Sequence, residues 1–147
     1  MRPNPAVLKP GHLSGYAVSL ATGAWQQSAF LKLVTARLRV KGLPAAFADD
    51  ALSRRDIIQC SKQRACEAYG VTGFDAITYI GDGSWDAKAS LSLGYTFICI
   101  GMDSQALRLT QLGAVDVLAD YSDIERAKAA LGRFSPDRTP NAAKASS

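Results

Sequence analysis

Ile77-Thr78-Tyr79-Ile80-Gly81-Asp82-Gly83-Ser84-Trp85-Asp86 is the stretch that decides the fold. An apolar run stops abruptly at two carboxylates four residues apart, with glycines on both sides of the first. Ala87 to Leu93 then predicts a helix closed by Gly94. Asp-Gly is also a strong hairpin signal, but a hairpin needs a second alternating strand at once, and here the chain turns helical instead. A strand that delivers carboxylates into a loop ahead of a helix puts them at the carboxyl edge of an α/β sheet, where such sheets bind ligands. Paired carboxylates with room for water suit Mg²⁺, which takes one or two protein oxygens and fills its other positions with water and phosphate. Asp82 and Asp86 are therefore the candidate metal ligands.

Working outward, the pattern alternates. Tyr16 to Ala21 predicts a short strand ending at Thr22-Gly23. From Gln26 to Lys41, Phe30, Leu33, Val34 and Leu38 recur at helical spacing, with Gly42 as the stop. Ala45 to Ala48 predicts a second strand ending in Asp49-Asp50. Ser53-Arg54-Arg55-Asp56 has the form of a capping box opening a helix to about Tyr69 and Gly70. Ala76 to Ile80 is the third strand. Tyr95 to Ile100 is a fourth, so uniformly apolar that both its faces should be buried. Ser104 to Leu112 predicts a helix closed by Gly113, and Val115 to Leu118 a fifth strand. Ser122-Asp123-Ile124-Glu125 suggests a second capping box and a helix to about Leu131. Residues 1–15, rich in Pro and Gly, are expected to be irregular. The tail from Arg133 (133–147) is expected to be disordered. Strand–helix alternation at this spacing implies one domain, 16–132, built as a parallel sheet with helices on both faces.

Composition narrows the function classes. The chain has 147 residues, 48% of them apolar, enough for one domain with a core. No apolar run approaches the length of a membrane span. Cys60, Cys66 and Cys99 are odd in number and lack C-x-x-C spacing, as expected of reduced, half-buried thiols in a cytoplasmic protein. His12, the one histidine, lies in a Pro/Gly-rich stretch and is expected at the surface. Residues 1–48 carry Arg2, Lys9, Lys32, Arg37, Arg39 and Lys41 and no acidic residue. Taking these six from 17 Lys and Arg leaves 11 against 13 acidic residues, a remainder of −2 behind a front of +6. Such a front suits a transit peptide or a nucleic-acid arm, but it contains an orderly strand and helix, so its charges are expected on a solvated face. Neither a membrane nor a nucleic acid is an expected partner.

Three strand ends thus carry reactive groups: Thr22, then Asp49-Asp50 with Arg54, then Asp82 and Asp86. A hydroxyl and a backbone N–H for phosphate oxygens, a cation for developing charge, and carboxylates for a metal make up a phosphate–Mg²⁺ site. In this order the chain resembles the haloacid dehalogenase-like (HAD) superfamily of phosphohydrolases, over about Gly15 to Asp123. Ala17-Val18-Ser19-Leu20-Ala21-Thr22-Gly23 looks like its second motif, an apolar strand ending in Thr or Ser. Gly81-Asp82-Gly83-Ser84-Trp85-Asp86 looks like the fourth, the acidic metal loop. Ser53-Arg54-Arg55-Asp56-Ile57 lies where members place the basic third motif, making Arg54 the choice by position, with Lys32 and Arg55 as fallbacks. Leu107 to Asp120 looks like the carboxyl end of these domains.

The resemblance implies Mg²⁺-dependent hydrolysis of a small phosphomonoester. The family's first motif, strand then Asp-x-Asp, supplies the nucleophile and the acid–base residue. Here no acidic residue precedes Thr22, and nowhere are two Asp residues separated by a single residue. In the resembled fold the nucleophile strand lies mid-sheet, between the strands ending at Thr22 and at Ile80, and a cap module that selects substrate is found in the same missing region. Pro5 to Pro10 is a poor substitute strand, because proline cannot donate to a ladder. The expectation is a HAD-like core without its nucleophile, either a truncated frame or a non-catalytic descendant. The alternative is an interaction module that uses the acidic loop or the exposed sheet edges.

Overall fold

The computed structural model describes residues 16–133. The expectations for residues 1–15, including His12 and the Pro5–Pro10 segment, and for 134–147 lie outside the described residues. The described chain alternates strand and helix five times: β1 (Leu20–Ala21), α1 (Gln26–Thr35), β2 (Ala45–Ala46), α2 (Arg54–Tyr69), β3 (Thr78–Gly81), α3 (Ser84–Ser92), β4 (Thr96–Ile100), α4 (Asp103–Gln111), β5 (Asp116–Leu118) and α5 (Ile124–Arg133). All strand pairs are parallel. The class is mixed α/β.

β4 is the centre of the packing. Phe97 and Cys99 join Ala87, Leu109 and Ala114 on the face covered by α3 and α4. Ile98, between them, joins Leu118 and Ala130 on the face covered by α5. Alternate residues of one strand thus feed two apolar layers, as period-2 side-chain alternation requires. Asp116, at the start of β5, ties α5 down. Arg126 donates to both its oxygens, with Nη1 2.9 Å from Oδ2, and Arg133 Nη2 lies 3.0 Å from Oδ2.

The sheet is divided. β1 pairs with β2, and β3 with β4 and β5, and among the described residues no strand lies between β1 and β3. Leu20 and Thr22 donate their N–H groups to Pro44 and Ala46 of the β2 strip, so Ser19 and Ala21 present theirs to the opposite edge. Thr96 donates to the Ile77 carbonyl, so Ile77, Tyr79 and Gly81 face β4, while Thr78 and Ile80 face the gap. The two sheets are not hydrogen-bonded to each other through a described strand. The Tyr79 hydroxyl spans the gap, 3.1 Å from the Ala21 carbonyl.

Several elements differ from the sequence expectation, each for a physical reason. The strand expected over 16–21 is confined to Leu20–Ala21, because its only partner strand offers two residues. Upstream, the Val18 N–H and C=O both bond to the Tyr69 hydroxyl on α2. Ala45–Ala48 likewise shrinks to two residues, since Phe47 to Asp50 forms a turn closed by Asp50 N–H to the Phe47 carbonyl. The helix expected to reach Lys41 ends at Thr35, with Arg37 in the left-handed region at φ 57°. Among the described residues only the first turns of its apolar stripe find a neighbour, Phe30 against Phe47, while Val34 is 68% exposed and Leu38 55%. A helix gains most of its stability from packing such a stripe. α3 begins at Ser84, before Ala87, so Asp86 stands in a first helical turn and not in the loop. Asp123, not Ser122, caps α5, its Oδ1 accepting from Arg126 N at 2.9 Å. Ser122 instead donates its N–H to Asp120 Oδ1. Ser53 caps α2 as expected, Asp56 N–H donating to its Oγ at 3.0 Å, while the hydroxyl itself donates to Asp56 Oδ2 at 2.6 Å in place of the reciprocal bond of a full capping box. Arg133 is the last residue of α5, and not the first of the tail.

Hydrogen exchange reads the divided sheet directly: the Ala21 and Ile80 amides, facing the gap, should exchange far faster than those of Phe97 to Cys99. A second expectation concerns acid. The Arg126 guanidinium bonded to Asp116 holds its carboxyl below the usual carboxylate range. The lowered folded value means that the contribution is complete above the unfolded value of about 3.9, and is lost as pH falls through the folded one. Asp116→Asn should therefore cost about 1–2 kcal/mol at neutral pH and flatten the acid limb of a stability–pH curve.

Candidate functional site

At the carboxyl ends of β1, β3 and β4 lies a cleft of about 290 Å³, lined by Thr22, Arg54, Tyr79, Asp82, Asp86 and Tyr121 among others. Four residues picked from the sequence for unrelated local reasons thus share one wall.

Thr22 leaves β1 with its N–H on Ala46 and its hydroxyl oxygen accepting from Ala24 N at 3.2 Å. This tight turn presents Gly23, where a side chain would crowd Arg54. A Cβ there would stand 3.0 Å from Arg54 Nη1 and 3.1 Å from Cζ. The guanidinium therefore lies against the Gly23 backbone. Arg54 is the first residue of α2, and its Nε reaches Asp86 Oδ1 at 2.9 Å. Its Nη1 is buried and has no hydrogen-bond partner among the described residues. A buried charged donor left unsatisfied is costly, and in native structures such groups take a water, ion or ligand as partner.

Asp86 is only 5% exposed. Burial pushes its carboxyl above the usual carboxylate value, outweighing the opposing pull of Arg54 and of the Tyr79 hydroxyl. Tyr79 Oη lies 3.2 Å from Asp86 Oδ1 and 3.1 Å from the Ala21 carbonyl. A phenol has one proton, so two acceptors share it. Burial and the Asp86 charge both raise the Tyr79 value, keeping the phenol protonated. Asp82 is exposed in the loop between β3 and α3, and its carbonyl accepts from Gln105 Nε2 at 2.6 Å.

The remaining candidates stand elsewhere. Lys32 on α1 and Arg55 on α2 are exposed and do not line the cleft. Asp49 and Asp50 are structural: Asp49 Oδ2 accepts from Gln26 N at the start of α1, and Asp50 forms a bidentate pair with Arg64 at 2.7 and 2.9 Å. The sequence reasoning missed Tyr79 and Tyr121. Tyr79 belongs to the quoted stretch, but its alternation with Ile80 marks only a strand face. Tyr121 follows β5, where no motif flags it. Cys99 is fully buried, deeper than the half-buried thiol expected, while Cys60 and Cys66 are intermediate.

The cleft can hold an anion between the Thr22 turn and Arg54, and a cation near Asp82 and Asp86. Among the described residues no group of three or more His, Cys, Asp and Glu is placed to hold a metal. A cation here would depend on these two carboxylates, and Asp86 Oδ1 is already engaged by Arg54 and Tyr79. No helix among the described residues is long and apolar enough to cross a membrane. No protein-family model matches the chain, and comparison with curated proteins gives no match.

Removing Asp86 tests the pair. Asp86→Ala leaves Arg54 buried against Gly23 without a counter-charge and should cost about 3 kcal/mol, read from denaturant unfolding. Replacing both partners, Arg54→Met with Asp86→Leu, should recover most of that loss. Equal losses in the single and double variants would mean that the pair carries no special weight.

Proposed function

We propose that this chain is a HAD-like phosphate-binding core that holds a phosphomonoester together with Mg²⁺ and, by itself, does not hydrolyse it. One observation carries the proposal: a hydroxyl, a guanidinium with an unmet donor and two carboxylates converge at the carboxyl edge of parallel strands. Thr22 and the Gly23 N–H take phosphate oxygens. Arg54 supplies a fixed planar cation, suited to phosphate. Asp82 and the Asp86 carboxylate fit Mg²⁺, an ion that keeps most of its water and needs few protein ligands. When bound, the ion neutralises phosphate charge. The step missing is attack on phosphorus, because the 147 residues contain no Asp-x-Asp. Three free thiols suit a reducing compartment, the cytoplasm.

A second reading is favoured by the open edges of β1 and β3. An unpaired edge is a template for another strand, and a non-catalytic interaction module on the same core would use it.

Incubation with a chromogenic aryl phosphate and Mg²⁺ should give no turnover above background; turnover abolished by Asp82→Ala would sink the proposal. Calorimetric titration with inorganic phosphate and Mg²⁺ should show weak binding, reduced about tenfold or more by Arg54→Gln and by Asp82→Asn. Mg²⁺ affinity unchanged in Asp82→Asn would put the ion elsewhere.

A further inference from the structure

We infer that a second cavity, on the other side of Asp82, seats a flat, π-rich group attached to the phosphate, so that the ligand is an aryl or heteroaryl monophosphate. This inference rests on the phosphate-binding role proposed for the first cleft. The cavity measures about 320 Å³ and lies between the start of α3 and α4, with Trp85, Gln105 and Arg108 among its walls. Asp82 lines both cavities, so they meet at the residue proposed to hold the metal. The size suits one ring system, at the lower end of ordinary ligand pockets.

Three features distinguish this cavity from a chance surface dent. Trp85 is 59% exposed, a large apolar surface left in water at the mouth of a site. Its indole lies close over Gly83, where a Cβ would stand 2.4 Å from Cε2 and 2.6 Å from Nε1, so a side chain at 83 would shift the ring. Gly83 is the N-cap of α3, with φ −105°, and its lack of a side chain leaves room for the ring. The Gly83 backbone thus lies against one side of the ring. Arg108 on α4 adds a planar cation on the same cavity, and buried Leu109 forms apolar floor. Gln105 donates to the Asp82 carbonyl, fixing α4 against the loop that separates the two cavities. A tryptophan and an arginine lining one cavity suit a flat π system, which the indole can stack on and the cation can attract through electron-rich or anionic substituents. An isolated exposed tryptophan needs no explanation; one that lines a cavity with an arginine and adjoins the Asp82 loop does.

The test uses Trp25→Phe, which leaves Trp85 as the single tryptophan reporter. With Mg²⁺ present, the chain is titrated with phenyl phosphate, 3-pyridyl phosphate, glycerol 2-phosphate and inorganic phosphate, by indole fluorescence and by calorimetry. The two aromatic phosphates should bind roughly 10-fold tighter than glycerol 2-phosphate and change the Trp85 emission. Trp85→Leu should remove that advantage while keeping inorganic phosphate binding within about twofold, and Trp85→Phe should restore part of it. Aromatic phosphates that bind no tighter than glycerol 2-phosphate, alongside Arg54-dependent inorganic phosphate binding, would overturn this inference and leave the phosphate site standing. Loss of inorganic phosphate binding in the parent chain would overturn both.

Discussion

Arg54 and Asp86 meet across the seam between the two half-sheets, and the arrangement of both halves depends on that contact. Arg54 stands at the head of α2, the helix whose Ser61 hydroxyl donates to the Leu20 carbonyl of β1. Asp86 stands in the first turn of α3, whose Ala87 joins the apolar layer over β4. Where a middle strand would supply a ladder of backbone bonds, the seam has the packing of α2 against α3, the 2.9 Å ion pair and one tyrosine hydroxyl reaching from β3 to β1. Side-chain bonds hold two halves together less well than a ladder, because each fixes several rotatable bonds for one interaction. The same contact makes the seam reactive, since it gathers a cation, an anion and a phenol where three strands end.

The two halves are unequal in what they bury. β3, β4 and β5 enclose residues with no exposure at all, Phe97, Ile98 and Cys99, between helices on both faces. The β1–β2 half has two-residue strands, and α1 leaves Leu31, Val34 and Leu38 largely in water. Stability follows buried apolar area, so the carboxyl-terminal half is the firmer body. The Thr22 turn, on the looser half, is therefore positioned mainly by its bonds to β2 and by the Arg54 guanidinium beneath Gly23. An anion bound there would hold the looser half against the firmer one.

Much of the fold was legible because parallel α/β units write themselves in period and punctuation. β4 is an uninterrupted apolar run, and the structure buries both its faces. Ser53 and Gly70 mark the two ends of α2 to the residue. The misses share one cause, dependence on a partner that local sequence does not name. The stripe Phe30, Leu33, Val34 and Leu38 has helical spacing throughout, yet only its first turns find a neighbour, Phe30 lying 5.4 Å from the Phe47 ring. Asp49 and Asp50 look like site carboxylates at a strand end, but Arg64, fourteen residues on, claims one of them. Asp82, Asp86, Thr22 and Arg54 were legible as candidates because each follows a strand or opens a helix. Tyr79 was not, since its partner, the Ala21 carbonyl, is 58 positions away and exposed to it only by the divided sheet.

The ion pair also sets how a phosphate and Mg²⁺ would enter the cleft together. An anion that draws on Arg54 takes the counter-charge from buried Asp86, and a cation that draws on Asp86 takes it from Arg54. Either alone leaves a charge in a poorly hydrated place, where an uncompensated ion costs several kcal/mol. Under the proposed function, phosphate on the unmet Nη1 of Arg54 would weaken the pull of Arg54 on Asp86, and a cation at Asp86 would offset that loss. Each ligand would then lower the cost of binding the other, and by linkage the enhancement would be equal in both directions. Tyr79 can follow the change without leaving its place, because its one proton is free to settle on the Ala21 carbonyl when Asp86 turns to a metal. In the ligand-free protein the same three residues close on one another. The cleft is thus held ready by the charges that its ligands would separate.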